Sequence, residues 1–282
     1  MPFKMLVMTK RFIALIALLG AVTPVQAHQI WIEQAEGQNA VVRFGEFGEN
    51  LREASPGLLD KFAKVTGTLI STKGEQKSDA TKTASGFTLP FSAGSGDGIV
   101  AEDASYPLYV WKQQGKDVTN WYHPAARYIT SFAAQQPRLV LDLVPTGQDG
   151  QFKLTFKDQP KAKTKVTLVT ESGWSKEAHT DEQGLVKFDM PWQGTYVAEV
   201  SFNDRNAGER AGANGAEKYD AVSYTTTVTF VNAKGLPPIP AGPNPPGLPG
   251  PAIPAMPAGP PKPPGPPAAP PSDKLFAITT SP

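Results

Sequence analysis

Three histidines, His28, His123 and His179, are the side chains of this 282-residue chain best suited to metal ligation or proton transfer near neutral pH. Cysteine is absent, which removes disulfides, zinc–thiolate sites, iron–sulfur clusters and thiol catalysis. The position of His28 gives it particular chemistry. Lys4, Lys10 and Arg11 form a positive start, and 12–22 (FIALIALLGAV) is an apolar run of 11 residues. The stretch 23–27 (TPVQA) then places Val25 and Ala27 where small residues precede a cut. This is the layout of a secretory signal peptide, and the apolar run is short of the about 20 residues that a membrane span needs. Cleavage after Ala27 makes His28 the first residue. It then offers an α-amine and an imidazole, groups whose unperturbed pKa values of about 7.7–8.0 and about 6.5 let a metal ion compete with protons near pH 7. As a pair they chelate one ion through nitrogen, a donor set that suits copper, nickel or zinc. The competing expectation is an incidental histidine after a tolerant cleavage site.

His123 follows Trp121 and Tyr122 and precedes Pro124. It either joins His28 in a site of three nitrogens, counting the amine, or is a hydrogen-bonded histidine beside an aromatic cluster. His179 stands at a strand end before a turn and reads as exposed. Strand alternation puts His28, Ile30 and Ile32 on one side and Gln29, Trp31 and Glu33 on the other, so Glu33 is a poor ligand candidate. The run Glu46, Glu49, Arg52 and Glu53 either lines a binding surface or is a solvated loop.

Other chemistries find no support. No Gly-x-Ser-x-Gly elbow, Walker loop or dinucleotide fingerprint occurs. The formal charge of +1 includes three basic residues of the first 27; without them 24 basic face 26 acidic side chains, a balance near −2. A basic footprint for nucleic acid is therefore missing.

The elements that must position these residues are β-rich. The stretches 29–33 and 39–47 alternate apolar and polar residues as half-buried strands do, and 64–71, 106–112 and 138–144 read as further strands. The stretch 92–98 (SAGSGDG) reads as a loop, and 124–132 as a short helix, since proline is tolerated in a first turn. A turn at 144–150 precedes a second set of strands at 151–157, 164–170, 185–188, 194–202 and 222–231, spaced as in a small β-sandwich. Asp181–Gly184 reads as a hairpin-type turn, and 203–220, charged and Gly-rich, as a long mobile or functional loop. Of the 29 prolines, 18 fall within 236–272, a stretch expected to favour extended polyproline II segments. The apolar end at 274–280 docks back, pairs with a partner or stays free.

With the residues assembled, the chain resembles the periplasmic family that carries a domain of unknown function, DUF4198, described as an accessory component of nickel/cobalt uptake. Ala27-His28-Gln29-Ile30-Trp31-Ile32-Glu33 resembles that family's mature start of Ala-His-Asp-x-Trp-x-Glu. The segment 121–132 (WYHPAARYITSF) lies where members carry an Arg-Tyr segment. The segment 159–168 (QPKAKTKVTL) resembles the Gly-x-Pro-x-x-x-x-x-Val strand of the second domain, and 180–188, 194–196 and 224–230 resemble its closing strands. The likeness covers roughly 28–231. It departs at Gln29, where the family has an acidic residue.

The sequence thus leads to an all-β fold of two β-sandwich domains, Ig-like or prealbumin-like, followed by a proline-rich disordered tail. The expected divisions are a signal peptide at 1–27, an N-terminal domain at 28–145, a C-terminal sandwich at 146–234 and the tail at 235–282. The resemblance implies a periplasmic accessory role in nickel or cobalt uptake; with the residues read above, the expectation is a non-enzymatic transition-metal-binding protein beside an envelope transporter, with His28 and His123 as the metal residues and nickel, cobalt or copper as the ion. The alternatives are an envelope interaction module for a protein or glycan, and a copper-dependent oxidative enzyme built on a histidine brace.

Overall fold

The computed structural model describes residues 28–212 and 215–243. The expected signal peptide and all of the tail beyond Pro243, including 274–280, lie outside these residues. The first half of the chain contributes β1 (Gln29–Glu33), β2 (Val41–Glu46), β3 (Leu51–Arg52), β4 (Thr66–Ser71), β5 (Gly74–Asp79), β6 (Thr81–Thr83), β7 (Gly86–Thr88), β8 (Gly98–Glu102), β9 (Tyr109–Gln113) and β10 (Lys116–Ile129). The second half contributes β11 (Leu141–Pro145), β12 (Gln151–Phe156), β13 (Gln159–Pro160), β14 (Lys165–Thr170), β15 (Ser175–His179), β16 (Leu185–Lys187), β17 (Gly194–Asp204), β18 (Gly208–Gly212), β19 (Gly215–Tyr219) and β20 (Ala221–Asn232). The fold is all-β, and each stretch read as a strand from the sequence falls on one. Among the described residues no helix is long and apolar enough to cross a membrane.

One sheet organises the molecule. Its order is β15-β14-β17-β20-β10-β8-β4-β5, with β9 on the free half of β10. The two halves of the chain meet in this sheet where β10 runs parallel to β20, from Asn120↔Ala221 to Ile129↔Phe230. A smaller sheet, β1-β2-β7-β6 with β3 on β2, covers one face. A third, β11-β12-β13 with β16 on β12, covers the other. Alternation along β10 shows the arrangement directly: Tyr128 belongs to the core with Ile30, Ile32, Val42 and Phe44, and its neighbour Ile129 to the core with Leu141, Leu143, Phe152 and Leu154. The molecule is two sandwiches that share their middle sheet. β11, read from the sequence with the first domain, pairs with β12 and packs in the second core.

β1 lies over the middle of the shared sheet and is buried on both sides. Ile30 and Ile32 enter the first core, while Trp31, fully buried, meets Phe47, Val169 and Val197. The Thr227 hydroxyl of β20 donates to the Ile30 carbonyl at 2.8 Å, which fixes the height of β1 above the sheet.

Three expectations are corrected. The helix expected over 124–132 is instead the end of β10 up to Ile129, followed by a bend. Pro-Ala-Ala favours a helical turn locally, but here the segment is ladder-paired to β20 and β8 on either side. Pro124 fits because its carbonyl faces Asp103 of the β8 side, and on that edge pairing with β9 ends at Asn120 and pairing with β8 starts at Ala125. Its missing N–H therefore falls where no ladder partner stands. The loop expected over 203–220 is the end of β17 and the hairpin β18–β19, tied by Arg210 to Glu217 at 2.9 Å. The turn at Asp181–Gly184 forms, with Gly184 at φ 77°, but it passes the chain from β15 in the shared sheet to β16 in the third sheet rather than closing a hairpin.

The proline-rich stretch begins as part of the folded body. The Leu236 N–H donates to the Pro191 carbonyl at 2.9 Å, and its own carbonyl accepts from Gln193 at 2.8 Å. At Gly242 the carbonyl accepts from the Asn50 side chain at 2.9 Å. The first prolines thus run from the second sandwich to the β2–β3 connection of the first.

Candidate metal centre

The register of two strands builds a site around His28. β1 pairs with β2 from Gln29↔Gly45 to Glu33↔Val41, so the residue before β1 stands opposite Glu46. β3 returns beside β2 with Gly45↔Arg52, and the Glu53 N–H donates to the Phe44 carbonyl at 2.8 Å. That close return requires Gly45. Its φ is +146°, and a Cβ there would lie 2.2 Å from the Leu51 carbonyl oxygen. Between the strands a single 3-10 turn, Phe47–Glu49, ends at Asn50 in the left-handed conformation.

The His28 imidazole is therefore held between two carboxylates. Its Nε2 lies 2.7 Å from Glu53 Oε1 and its Nδ1 lies 3.2 Å from Glu46 Oε1. The ring rests on Phe44 at 5.3 Å, and the Tyr122 hydroxyl donates to the His28 carbonyl at 2.7 Å. Glu53 is only 1% exposed, and its second oxygen has no partner among the described residues. Burial raises the Glu46 carboxyl above its usual value, opposed by His28 and reinforced by the charges of Glu49 and Glu53. On the neighbouring face, Glu199 of β17 accepts from the Gln29 amide. Burial, with the nearby charge of Glu46, pushes its carboxyl up to about 8.

These contacts constrain the protons. With Nε2–H donated to Glu53, a neutral ring presents the Nδ1 lone pair to the Glu46 carboxylate. Two acceptors at 3.2 Å repel unless a positive charge or a proton lies between them. An imidazolium, a protonated Glu46 or a metal ion each satisfies the pair. A histidine that ligates metal through one ring nitrogen commonly donates the other N–H to a carboxylate, which fixes tautomer and ring orientation. Glu53 is placed for that role. The available donors fit a borderline ion: an imidazole nitrogen and one carboxylate oxygen, joined by the α-amine if the chain begins at His28. Among the described residues no group of three His, Asp or Glu side chains is arranged to hold a metal ion, so the amine is needed to make three protein ligands.

His123 is elsewhere. It shares the face of β10 that carries Trp121, opposite to the face of Tyr122 that reaches His28. Its ring stacks on Trp121 at 4.8 Å and 14°, and its Nε2 lies 3.0 Å from Glu102 Oε2. Its Nδ1 is buried without a partner among the described residues. The hydrogen bond with His123 holds the Glu102 carboxyl below its usual value against the effect of burial. The structure does not bring His28 and His123 together. His179 is exposed at the end of β15.

The other sequence candidates divide. Glu33 is taken up by other partners: burial alone would raise its carboxyl, but Arg52, Trp31 and Arg43 outweigh that and hold it low. It bonds Arg43 at 2.8 Å and Trp31 at 2.9 Å. Of the charged run, Glu46 and Glu53 turn inward to His28, while Arg52 joins Glu33 and Glu171. Glu199, 170 residues from Gln29 in the chain, had no sequence signal. No protein-family model matches the chain, and no curated protein matches it either.

Proposed function

We propose that the mature chain begins at His28 and binds one transition-metal ion through the His28 amine, Nδ1 and Glu46. On this reading it is a non-enzymatic accessory protein of the bacterial periplasm that supports uptake of nickel or cobalt, or handling of copper, beside an envelope transporter. The observation that carries it is the His28 ring, buttressed at Nε2 by buried Glu53 and directed at Nδ1 toward Glu46. The signal-type segment before His28 and the resemblance of 27–33 to the DUF4198 start support the same site. His123 is left out of the ligand set, because it sits on the other face of β10 beside Trp121; an oxidative copper site using both histidines therefore has no geometric support.

Calorimetric titration with Cu(II), Ni(II), Co(II) and Zn(II) tests the reading, comparing the chain starting at His28, its His28→Ala variant and a version with one extra N-terminal residue. The first binds one ion tightly and the other two weakly. Affinity falls at low pH, where protons compete for both nitrogens. Equal weak binding by all three proteins removes the proposal.

A second reading, an envelope interaction module without a metal role, rests on the edge strand β9. Tyr109, Val110 and Trp111 there are 43%, 62% and 48% exposed. It requires partner binding that survives EDTA and is lost on Trp111→Ser.

A further inference from the structure

Beside His28 the first sandwich opens into a cleft of about 430 Å3, within the size range of small-molecule sites. Phe44, Tyr106, Tyr109 and Tyr122 line it together with His28 and Lys61. The aromatic rings brace each other: Tyr106 meets Tyr122 edge-on at 5.0 Å, and Phe62 supports Tyr106 from behind at 5.0 Å. The walls are mainly aromatic.

The polar groups of the cleft are unbalanced in one direction. No aspartate or glutamate lines it. Lys61, at the end of the 3-10 turn Leu58–Lys61, is exposed and forms no ion pair among the described residues. Tyr109 accepts a hydrogen bond from the Asn120 amide at 2.5 Å, which leaves its own hydroxyl hydrogen free. Tyr106 makes no side-chain hydrogen bond among the described residues, and burial pushes its phenol up to about 12, so it remains a donor throughout the physiological range. Tyr122 is already engaged with the His28 carbonyl. One cation and two free hydroxyl donors thus face an aromatic cavity with no carboxylate in its lining; the nearest acids are turned away from it, Glu46 and Glu53 to His28 and Asp103 to the Ala63, Lys64 and Ser105 N–H groups.

We propose that this cleft binds a small organic carboxylate with a flat apolar body. The carboxylate meets Lys61 and the Tyr106 and Tyr109 hydroxyls, and the body lies against Phe44 and the tyrosine rings. Charge complementarity selects the anion, since an uncharged analogue leaves the cation unanswered and an amine meets repulsion. The site does not depend on a bound metal, although His28 borders both.

The test is calorimetric titration of the full mature chain, in EDTA, with 2-naphthoate and with uncharged 2-naphthamide. Naphthoate is expected to saturate a single site and to bind about tenfold more tightly than the amide, the scale of one charge-assisted contact. Lys61→Gln, at an exposed position, weakens naphthoate by about the same factor and leaves the amide unchanged. Tyr106→Phe weakens naphthoate by a smaller factor. Equal affinity for the two probes, an unchanged naphthoate affinity in Lys61→Gln, or no saturable binding at millimolar naphthoate overturns the proposal. Because EDTA is present throughout, the outcome is separate from that of the metal titration.

Discussion

Glu53 is buried beneath a half-buried His28: the carboxylate oxygen lies 2.7 Å from Nε2, and the glutamate is only 1% exposed. An ionised carboxylate at that depth is costly unless a positive or polarised partner answers it. One of its oxygens has no partner among the described residues, so the His28 N–H is its principal compensation. The pair fixes which ring nitrogen is left to face Glu46.

Glu53→Gln keeps the shape of that buttress and removes its charge. The amide oxygen still accepts from Nε2–H but no longer raises the basicity of Nδ1. Outer-shell changes of this kind cost roughly 10–100-fold in metal affinity. On the proposed metal reading, the loss should appear in a calorimetric titration of the chain starting at His28 and be smaller than that of His28→Ala. Affinity equal to wild type would show that Glu53 does not orient the ligand.

Much of the fold is legible in the sequence because its strands obey the simple period. In β2, Val42 and Phe44 point to the core while Val41 and Arg43 are half-buried, as alternation requires. β10 is not legible that way. Its residues from Ala125 to Ile129 are buried on both faces, so no alternation marks it, and Ala-Ala after a proline has helical propensity that only the flanking ladders override. β18 and β19 are hidden for the opposite reason: they have no alternating apolar face and are held by Tyr219, which packs on Trp121, and by Arg210, which pairs with Glu217 and lies over Trp121 at 5.2 Å. The site divides likewise. His28 is announced by the segment before it. Glu46 and Glu53 sit in a charged run that reads as solvated, and only the β1–β2–β3 register turns them inward.

A buried ion pair ties the third sheet to the shared sheet. Arg127 of β10 donates to Asp142 of β11 through Nε at 3.0 Å and Nη2 at 2.5 Å, and both side chains are fully buried. Asp142 also accepts from the Arg138 and Leu139 N–H groups at 2.7 and 3.2 Å. Removing one member of such a pair strands the other charge and costs about 3–5 kcal/mol. Asp142→Ala should therefore lower the thermal midpoint by about 10 °C or more. The double variant Arg127→Met with Asp142→Leu, which strands no charge, should recover much of that loss. Equal destabilisation by the single and double variants would mean that packing volume, not the stranded charge, sets the cost.

Glu199 makes stability depend on pH in a window set by its own shift. Its carboxyl is raised from 4.5 to about 8 by burial and by Glu46. Between those values the folded chain binds a proton that the unfolded chain has released, so stability falls as pH rises from about 4.5 and levels off above about 8. The depressed carboxyls of Glu33, Glu102 and Asp204 act in the opposite sense, but their contributions are complete once pH exceeds the ordinary carboxylate range. Glu199→Gln keeps an acceptor for the Gln29 amide and cannot ionise. Thermal midpoints of the metal-free proteins, measured from pH 5 to pH 9, should converge at the acid end and separate progressively toward pH 8, with the glutamine variant the more stable. Parallel curves across the range would show that Glu199 is ionised at every pH tested and that the Gln29 hydrogen bond carries a full carboxylate.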